Sequence, residues 1–338
     1  MKAAVLTAKG DASKAFQIKE VPKPRPKDLE VLIEVEAFGL NFADVMARNG
    51  LYRDAPPIPS ILGYDVVGKV VESAAEQYNH LIGKRVVAMT RFGGYAEYAV
   101  TDARACAEIP ESMSAGVAAA LATQYCTAYR AAYEAINLFD GDRILVHAAA
   151  GGVGTALCQL AKLKGCFVYG TASSEKKFDY MQSNGVDYPI NYSKFDYRSV
   201  IEQQGHKLQA AFNSVGGSTF KKDYGLLEKG GTSVIYGVAE RSGKSGGGFA
   251  TLQLAWKFGI MSPIQFLVGS NGVIGINMLH IADHQPLVIK RCLEAVVQLT
   301  STEQLNPHVG GVFDIGEIGE AHAFLESRTS IGKIVVEW

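Results

Sequence analysis

Residues 143–174 constrain the chain more than any other stretch. Ile144, Leu145 and Val146 read as a buried strand, and Ala148-Ala149-Ala150-Gly151-Gly152-Val153-Gly154 follows as a turn. Ala156, Leu157, Leu160, Ala161 and Leu163 then recur at mostly three- and four-residue spacing, the period of a helix with one buried face. Gly165 ends that helix, and Phe167, Val168 and Tyr169 begin a second strand. A strand, a glycine-rich turn, a helix and a strand within about thirty residues make one βαβ unit. Such a turn brings backbone N–H groups at a helix N-terminus close to a pyrophosphate. The full fingerprint is G-x-G-x-x-G; here it reads Ala149-x-Gly151-x-x-Gly154. The competing reading is a small-residue turn that only lets helix and strand pack tightly. The βαβ setting favours a nucleotide.

From 142 onward, strands at 144–147, 167–170, 188–191, 210–215 and 232–238 alternate with helical segments. That alternation predicts a parallel, doubly wound sheet. Residues 266–276, rich in Val, Ile and Gly, add a sixth strand. Residues 1 to about 120 have another texture, with many short strands punctuated by Gly and Pro, the pattern of a barrel-like β domain. There Val31, Ile33 and Val35 alternate with Leu32, Glu34 and Glu36, a strand with a polar-leaning face. It gives way at 39–44 to a short helix, so Asn41 and Asp44 are either helix caps or polar groups presented at a strand end. An alanine-rich stretch predicts helices at 115–122 and 127–136, joined at 124–126. The glycine-rich 243–248 reads as a flexible loop and not a P-loop; 286–299 is an amphipathic helix, and 318–325 and 332–336 are a helix and a strand.

A length of 338 residues favours two domains. A net charge of −1 speaks against nucleic acid or an acidic membrane surface as partner. The five cysteines are scattered and form no C-x-x-C pair, which indicates neither a disulfide framework nor a four-cysteine zinc lobe and fits a reducing cytoplasm. No apolar run approaches a membrane span, and the apolar stretch at the start is too short for a signal peptide.

Five stretches together resemble the medium-chain dehydrogenase/reductase superfamily over nearly the whole chain. They are Gly39-Leu40-Asn41-Phe42-Ala43-Asp44, Gly93-Gly94-Tyr95-Ala96-Glu97-Tyr98, 148–154 with Gln159-Leu160-Ala161, Asn213-Ser214-Val215-Gly216-Gly217, and Gly332-Lys333-Ile334-Val335. From Asn41 to Arg48 and through Gly50-Leu51-Tyr52 the chain is most similar to the zinc-free quinone oxidoreductases, and among them to the vesicle amine transport protein homologues. The resemblance implies an α/β fold: a Rossmann doubly wound sheet at 123–261 and a GroES-like β-barrel catalytic domain built from 1–122 and 262–338. It places the active site in the cleft between them.

The zinc-dependent branch has a cysteine where this chain has Asn41 and a His-Glu pair where it has Tyr64-Asp65. Neither Asn nor Tyr replaces a soft or imidazole ligand well, so no metal is expected. Hydride would pass instead to a quinone or to the β-carbon of an α,β-unsaturated carbonyl, with a hydrogen bond stabilising the developing enolate. Tyr52, Asn41 and Tyr64 are the candidate donors, and Asp44 orients a neighbour. The cofactor contacts that the resemblance implies are Thr127, Ala150, Gly151, Gly152, Val153, Ser173, Ser174, Lys177, Tyr192, Asn213, Ser214, Tyr236, Gly237 and Lys333.

NADPH is expected over NADH. The strand-end position that holds an acidic residue in NAD-selective chains is Ala172, followed by Ser173 and Ser174. Lys177 falls where the family keeps a lysine against the 2′-phosphate, and Tyr192 where a tyrosine covers it; Glu175 reads as a helix-dipole contact. Two departures stand out: Ala149 for the first fingerprint glycine, and Asn213 where an aspartate commonly precedes Val-Gly-Gly. His147 reads as structural. A homodimer through strand edges at 268–276 and a small-molecule substrate complete the expectation. The second reading, from another class, is a nucleotide-binding protein with little turnover that acts through protein or lipid partners; fold alone does not separate the two.

Overall fold

The computed structural model describes residues 1–241, 256–259 and 261–338. The glycine-rich loop at 243–248 lies outside the described residues. Two compact units are present: Met1–Cys126 with Met278–Trp338, and Thr127–Asn277.

The strands of the first unit are, in chain order, β1 (Lys2–Leu6), β2 (Phe16–Glu20), β3 (Glu30–Leu40), β4 (Ser60–Ile61), β5 (Asp65–Ser73), β6 (Arg85–Met89), β7 (Tyr98–Asp102) and β8 (Cys106–Glu108). After the six strands of the second unit come β15 (Val309–Asp314) and β16 (Lys333–Glu337). One sheet has the order β2-β1-β4; the other runs β15-β16-β3-β5-β6-β8, with β7 pairing β3. The alternation in β3 does what its pattern requires. Val31, Ile33 and Val35 are buried, while Glu34 and Glu36 face out to Tyr98 and Arg85. Leu32 is buried as well, because β3 shifts register against β5 at 32/33 and again at 35/37 and so turns both faces inward. Gly68 is required where the strands cross, since a methyl there would lie 1.9 Å from the Glu34 carbonyl oxygen. The register brings three strand termini to one end of the sheet: Leu40 faces Ile334, and Gly39 faces Asp65.

The second unit holds β9 (Arg143–Val146), β10 (Phe167–Ala172), β11 (Tyr188–Asn191), β12 (Leu208–Asn213), β13 (Leu227–Ile235) and β14 (Gly272–Gly275). They form one parallel sheet in the order β11-β10-β9-β12-β13-β14. Burial on both faces explains the near-continuous apolar runs in β9 and β12. The order reverses at β9, and the glycine-rich turn follows that strand. Gly154 lets the helix Gly152–Leu163 sit against it: a methyl at 154 would lie 2.2 Å from the Ala148 carbonyl oxygen. Ala149, in place of the first fingerprint glycine, is accommodated by the next strand. A side chain at Gly170 would come within 2.9 Å of the Ala149 methyl, so the missing Cβ on β10 makes room for the extra one on the turn.

Two expectations are corrected. The helices at 115–122 and 127–136 are one helical run from 115 to 134, in which Leu121–Tyr125 and Arg130–Glu134 are π-helical. The residues expected to form a joint are absorbed by widened turns that keep the backbone hydrogen-bonded. The strand expected at 266–276 is reduced to Gly272–Gly275, because Pro263–Gly269 is a helix. Ser262 caps that helix in a box with Gln265, Pro263 opens it, and Ser270 ends it at φ 52°. These signals outweigh the Val and Ile content. β14 belongs to the parallel sheet, and the second unit runs to Asn277.

Replacing Gly154 with Ala tests the close approach of helix and turn. The methyl meets backbone that cannot swing aside, and overpacking of this kind costs about 1–3 kcal/mol. The urea midpoint is expected to fall accordingly; an unchanged midpoint contradicts the packing described.

Candidate functional site

In the second unit the carboxyl ends of five parallel strands carry nearly all the residues singled out for a nucleotide. Ala150, Gly151, Gly152 and Val153 follow β9; Ser173 and Ser174 follow β10, with Lys177 just beyond. Tyr192 follows β11, Asn213 and Ser214 close β12, and Tyr236 and Gly237 follow β13. In open α/β sheets ligands bind outside these ends, at the point where strand order reverses. The helix Gly152–Leu163 opens there with no side-chain cap and no acidic residue in its first turn, so its N-terminal N–H groups and dipole favour an anion. The Tyr236 hydroxyl is buried against Ser214.

At the end of β10 the charge is one-sided. Ala172 is buried and offers no carboxylate, and Ser174 caps the turn Glu175–Lys177 through its hydroxyl. Glu175, the nearest acid, is drawn off by Lys194 at 3.0 Å, which also holds its carboxyl below the usual range. Its observed partner is thus a lysine side chain as well as a helix start. Lys177 is partly buried, and desolvation lowers its pKa. Tyr192 is exposed, with its backbone N–H on the Ala172 carbonyl at 3.1 Å.

The first unit gathers a different set. Asn41 follows β3, Asp65 opens β5 and Lys333 opens β16; all three are buried. The Asn41 side-chain amide donates to Asp65 Oδ2 at 2.7 Å, and Lys333 Nζ donates to Asn41 Oδ1 at 3.1 Å while forming an ion pair with Asp65. The Thr123 hydroxyl donates to the other Asp65 oxygen. Gly39 makes the passage for the lysine, since a methyl there would lie 2.1 Å from Lys333 Cε. Asp44 serves the cap: its Oδ2 accepts the Asn41 backbone N–H at 2.8 Å and its Oδ1 that of Gly63 at 3.3 Å. Burial, ahead of the Asp65 charge, raises its pKa to about 7. The Tyr95 hydroxyl lies against Asp44 on one side and 3.3 Å from His322 Nε2 on the other; burial lowers His322 to about 3, so it is neutral. Tyr64 is buried, its ring 6.4 Å edge-on from Tyr52 and 5.0 Å from Phe92. Desolvation raises both the Tyr52 and the Tyr64 phenol, so both remain donors.

The structure thus brings Asn41, Asp44, Tyr52 and Tyr64 into one neighbourhood of the first unit. Lys333 joins them there, fully buried, as the counter-ion of Asp65. Thr127 is buried in the helical run. Sequence reasoning missed Thr123 and Tyr95 as members of this cluster and did not weigh Asp65 as its carboxylate. The only local signal was Asp65 standing beside Tyr64. Among the described residues no three His, Cys, Asp or Glu side chains come together as a metal site, and no helix is long and apolar enough to cross a membrane.

Asp44 generates a pH prediction. Its folded pKa of about 7 lies above the ordinary 3.8, so the folded state holds the proton longer than the unfolded state. Its contribution to stability therefore falls as pH rises from about 4 to about 7 and is level above that. Melting temperatures of wild type and Asp44→Asn are expected to move relative to one another across that window, to the variant's advantage at the upper end. A constant difference between the two contradicts the assignment.

Comparison with known proteins places the chain in a family. The alcohol dehydrogenase GroES-like domain matches residues 27–111, and the zinc-binding dehydrogenase domain matches 152–262. The synaptic vesicle membrane protein VAT-1 homolog of Danio rerio is 32% identical over 99% of this chain and 69% of its own length. A probable quinone oxidoreductase of Schizosaccharomyces pombe is 31% identical over 98% of this chain and 96% of its own. Among solved structures, the quinone oxidoreductase of Thermus thermophilus, determined alone and with NADPH, superposes with a TM-score of 0.80 at 28% identity, covering all of both chains. With both domain families in order along it and relatives spanning it nearly end to end, the chain belongs to the medium-chain dehydrogenase/reductase superfamily, in the zinc-free quinone oxidoreductase branch close to the VAT-1 homologues.

Proposed function

We propose that the protein is an NADPH-dependent, zinc-independent reductase of quinones or α,β-unsaturated carbonyls. The observation that carries the reading is the end of β10, where Ala172 offers no carboxylate, Ser173, Ser174 and Lys177 follow, and Glu175 is engaged by Lys194. A 2′-phosphate gains from that surface what a ribose hydroxyl does not. The rest of the second unit fits the cofactor. Glycines at 151 and 152 and the uncapped helix start suit a pyrophosphate. The complex of a related quinone oxidoreductase with NADPH supports the same choice.

Bound NADPH supplies a hydride to the electron-poor carbon of the acceptor. The chain's own part is to bind, orient and polarise. Asn41 and Tyr64 are each 5% exposed, whereas Tyr52 is partly exposed, so Tyr52 is the donor we assign to the acceptor's carbonyl oxygen. A phenol kept protonated by burial stabilises the developing negative charge without surrendering its proton. Asp44 is wholly buried and orients the start of the helix Phe42–Arg48 rather than delivering a proton. The donor set argues against zinc. An asparagine, a tyrosine and a carboxylate already neutralised by the Lys333 ammonium form a poor site for a dication.

A homodimer joined through β14, the edge strand of the parallel sheet, is part of the proposal. Ile264, Leu267 and Val268, on the helix that precedes it, are exposed and apolar. Light scattering at micromolar concentration is expected to give the mass of two chains; a single-chain mass rules the dimer out. The kinship with vesicle membrane proteins keeps a second reading, a nucleotide-binding protein with little turnover that acts through partners. A screen of NADPH oxidation over quinones, enones and aldehydes separates the two.

The cofactor assignment makes a quantitative prediction. A charge-assisted contact from Lys177 is worth roughly 1.5–3 kcal/mol, a tenfold to hundredfold preference for NADPH over NADH. Lys177→Ala is expected to erase most of that gap in a fluorescence or calorimetric titration while leaving NADH affinity nearly unchanged. Equal affinities in the wild type, or tighter NADH, refute the assignment.

A further inference from the structure

Asp223 lies wholly buried in the second unit, on the helix Ser218–Leu226. Its Oδ1 accepts from the Tyr197 hydroxyl at 2.7 Å and lies 2.9 Å from His147 Nε2. Its Oδ2 accepts from the Asn213 side-chain amide and lies 3.1 Å from the same imidazole nitrogen. On its other edge His147 Nδ1 is 3.2 Å from the Thr171 hydroxyl. His147 follows β9, Thr171 belongs to β10 and Asn213 ends β12, so one carboxylate ties together three neighbouring strand ends where the strand order reverses.

Asn213 carries that tie outward. Its Oδ1 accepts the backbone N–H of Val215 at 2.8 Å and of Gly216 at 2.7 Å, and its Nδ2 donates to Asp223 and to the Thr219 hydroxyl at 2.9 Å. An amide has one accepting face and one donating face. With its NH2 held by a carboxylate, the carbonyl of Asn213 must point at the turn; reversed, the NH2 would oppose two backbone donors. Asp223 therefore selects the one orientation that clamps 213–217, a turn in which Gly216 and Gly217 sit at φ 74° and 53°. The carboxylate that the resemblance puts at 213 is supplied to the same neighbourhood from another element.

We propose that Asp223 is a positioning residue for nucleotide binding. Acting through the Asn213 amide, it fixes the 213–217 turn on the half of the sheet opposite the phosphate-selecting end of β10, the half that takes the nicotinamide mononucleotide. The inference rests on the nucleotide reading above. It predicts a split effect along one ligand, with the nicotinamide end loosened and the adenosine 2′-phosphate end untouched. A general weakening of the unit would not produce that split.

The test is calorimetric titration of wild type and Asp223→Asn with NADPH and with adenosine 2′,5′-bisphosphate, which lacks the nicotinamide. In Asp223→Asn one acceptor oxygen is replaced by a donor facing donors. NADPH is expected to bind about tenfold more weakly and the bisphosphate to stay within about twofold. The double variant Asn213→Asp with Asp223→Asn returns the carboxylate to the strand end and is expected to recover NADPH affinity to within about threefold. Should Asp223→Asn fail to fold, as judged by its melting curve, Asn213→Ala carries the same comparison, since it leaves the bonds of Asp223 to His147 and Tyr197 in place. Both ligands weakening together, neither weakening, or no recovery in the double variant overturns the inference while leaving the nucleotide reading intact. A wild-type protein that binds neither ligand overturns both.

Discussion

The buried ion pair between Lys333 and Asp65 is the contact on which the first unit's site depends. It joins the start of β16 to the start of β5, and Asn41 and Thr123 satisfy the remaining polar atoms around it. Two buried charges are costly unless so completed, and removing one partner of such a pair typically costs about 3–5 kcal/mol. The pair also explains a backbone choice, because only a glycine at 39 lets the lysine stem cross β3. Its consequence is chemical. Asn41 is held between the Asp65 carboxylate and the Lys333 ammonium, oriented by charge on both sides.

The second unit depends instead on close approach. Gly154 lets the helix sit on the turn after β9, and Gly170 admits the Ala149 methyl, so a departure from the fingerprint is balanced on the adjacent strand. With that geometry in place, selectivity is a matter of which charges stand at the strand ends. Ser173, Ser174 and Lys177 follow the buried Ala172, which offers no carboxylate, and Glu175 is paired with Lys194. Asp223 is buried beneath the sheet's other half, where it acts on backbone rather than on ligand.

Much of this was legible in the sequence because it is local. The βαβ unit at 143–174, the alternation in β3, the cap at Asp44 and the missing acid at Ala172 are each fixed by residues within a few positions of one another. What was not legible is long-range or depends on competing signals. Lys333 and Asp65 lie 268 positions apart and meet only through the register of two antiparallel pairings. Asp223 is one of several polar residues on an unremarkable helix, and nothing nearby announces His147 as its partner. The helix Pro263–Gly269 was hidden by Val and Ile content, although its capping box was present at Ser262 and Gln265. The π-helical turns after Ala120 replace a predicted break by carrying the helix through it with widened turns.

The central claim is that reduction here proceeds by hydride from NADPH with hydrogen-bond polarisation and no metal. The most direct measurement is the initial rate of NADPH oxidation with a simple quinone, made on the same protein before and after exhaustive treatment with a strong chelator. The account predicts clear turnover and the same rate in both. A rate that vanishes on chelation and returns with added zinc, or no oxidation above buffer with any quinone or enone, contradicts it.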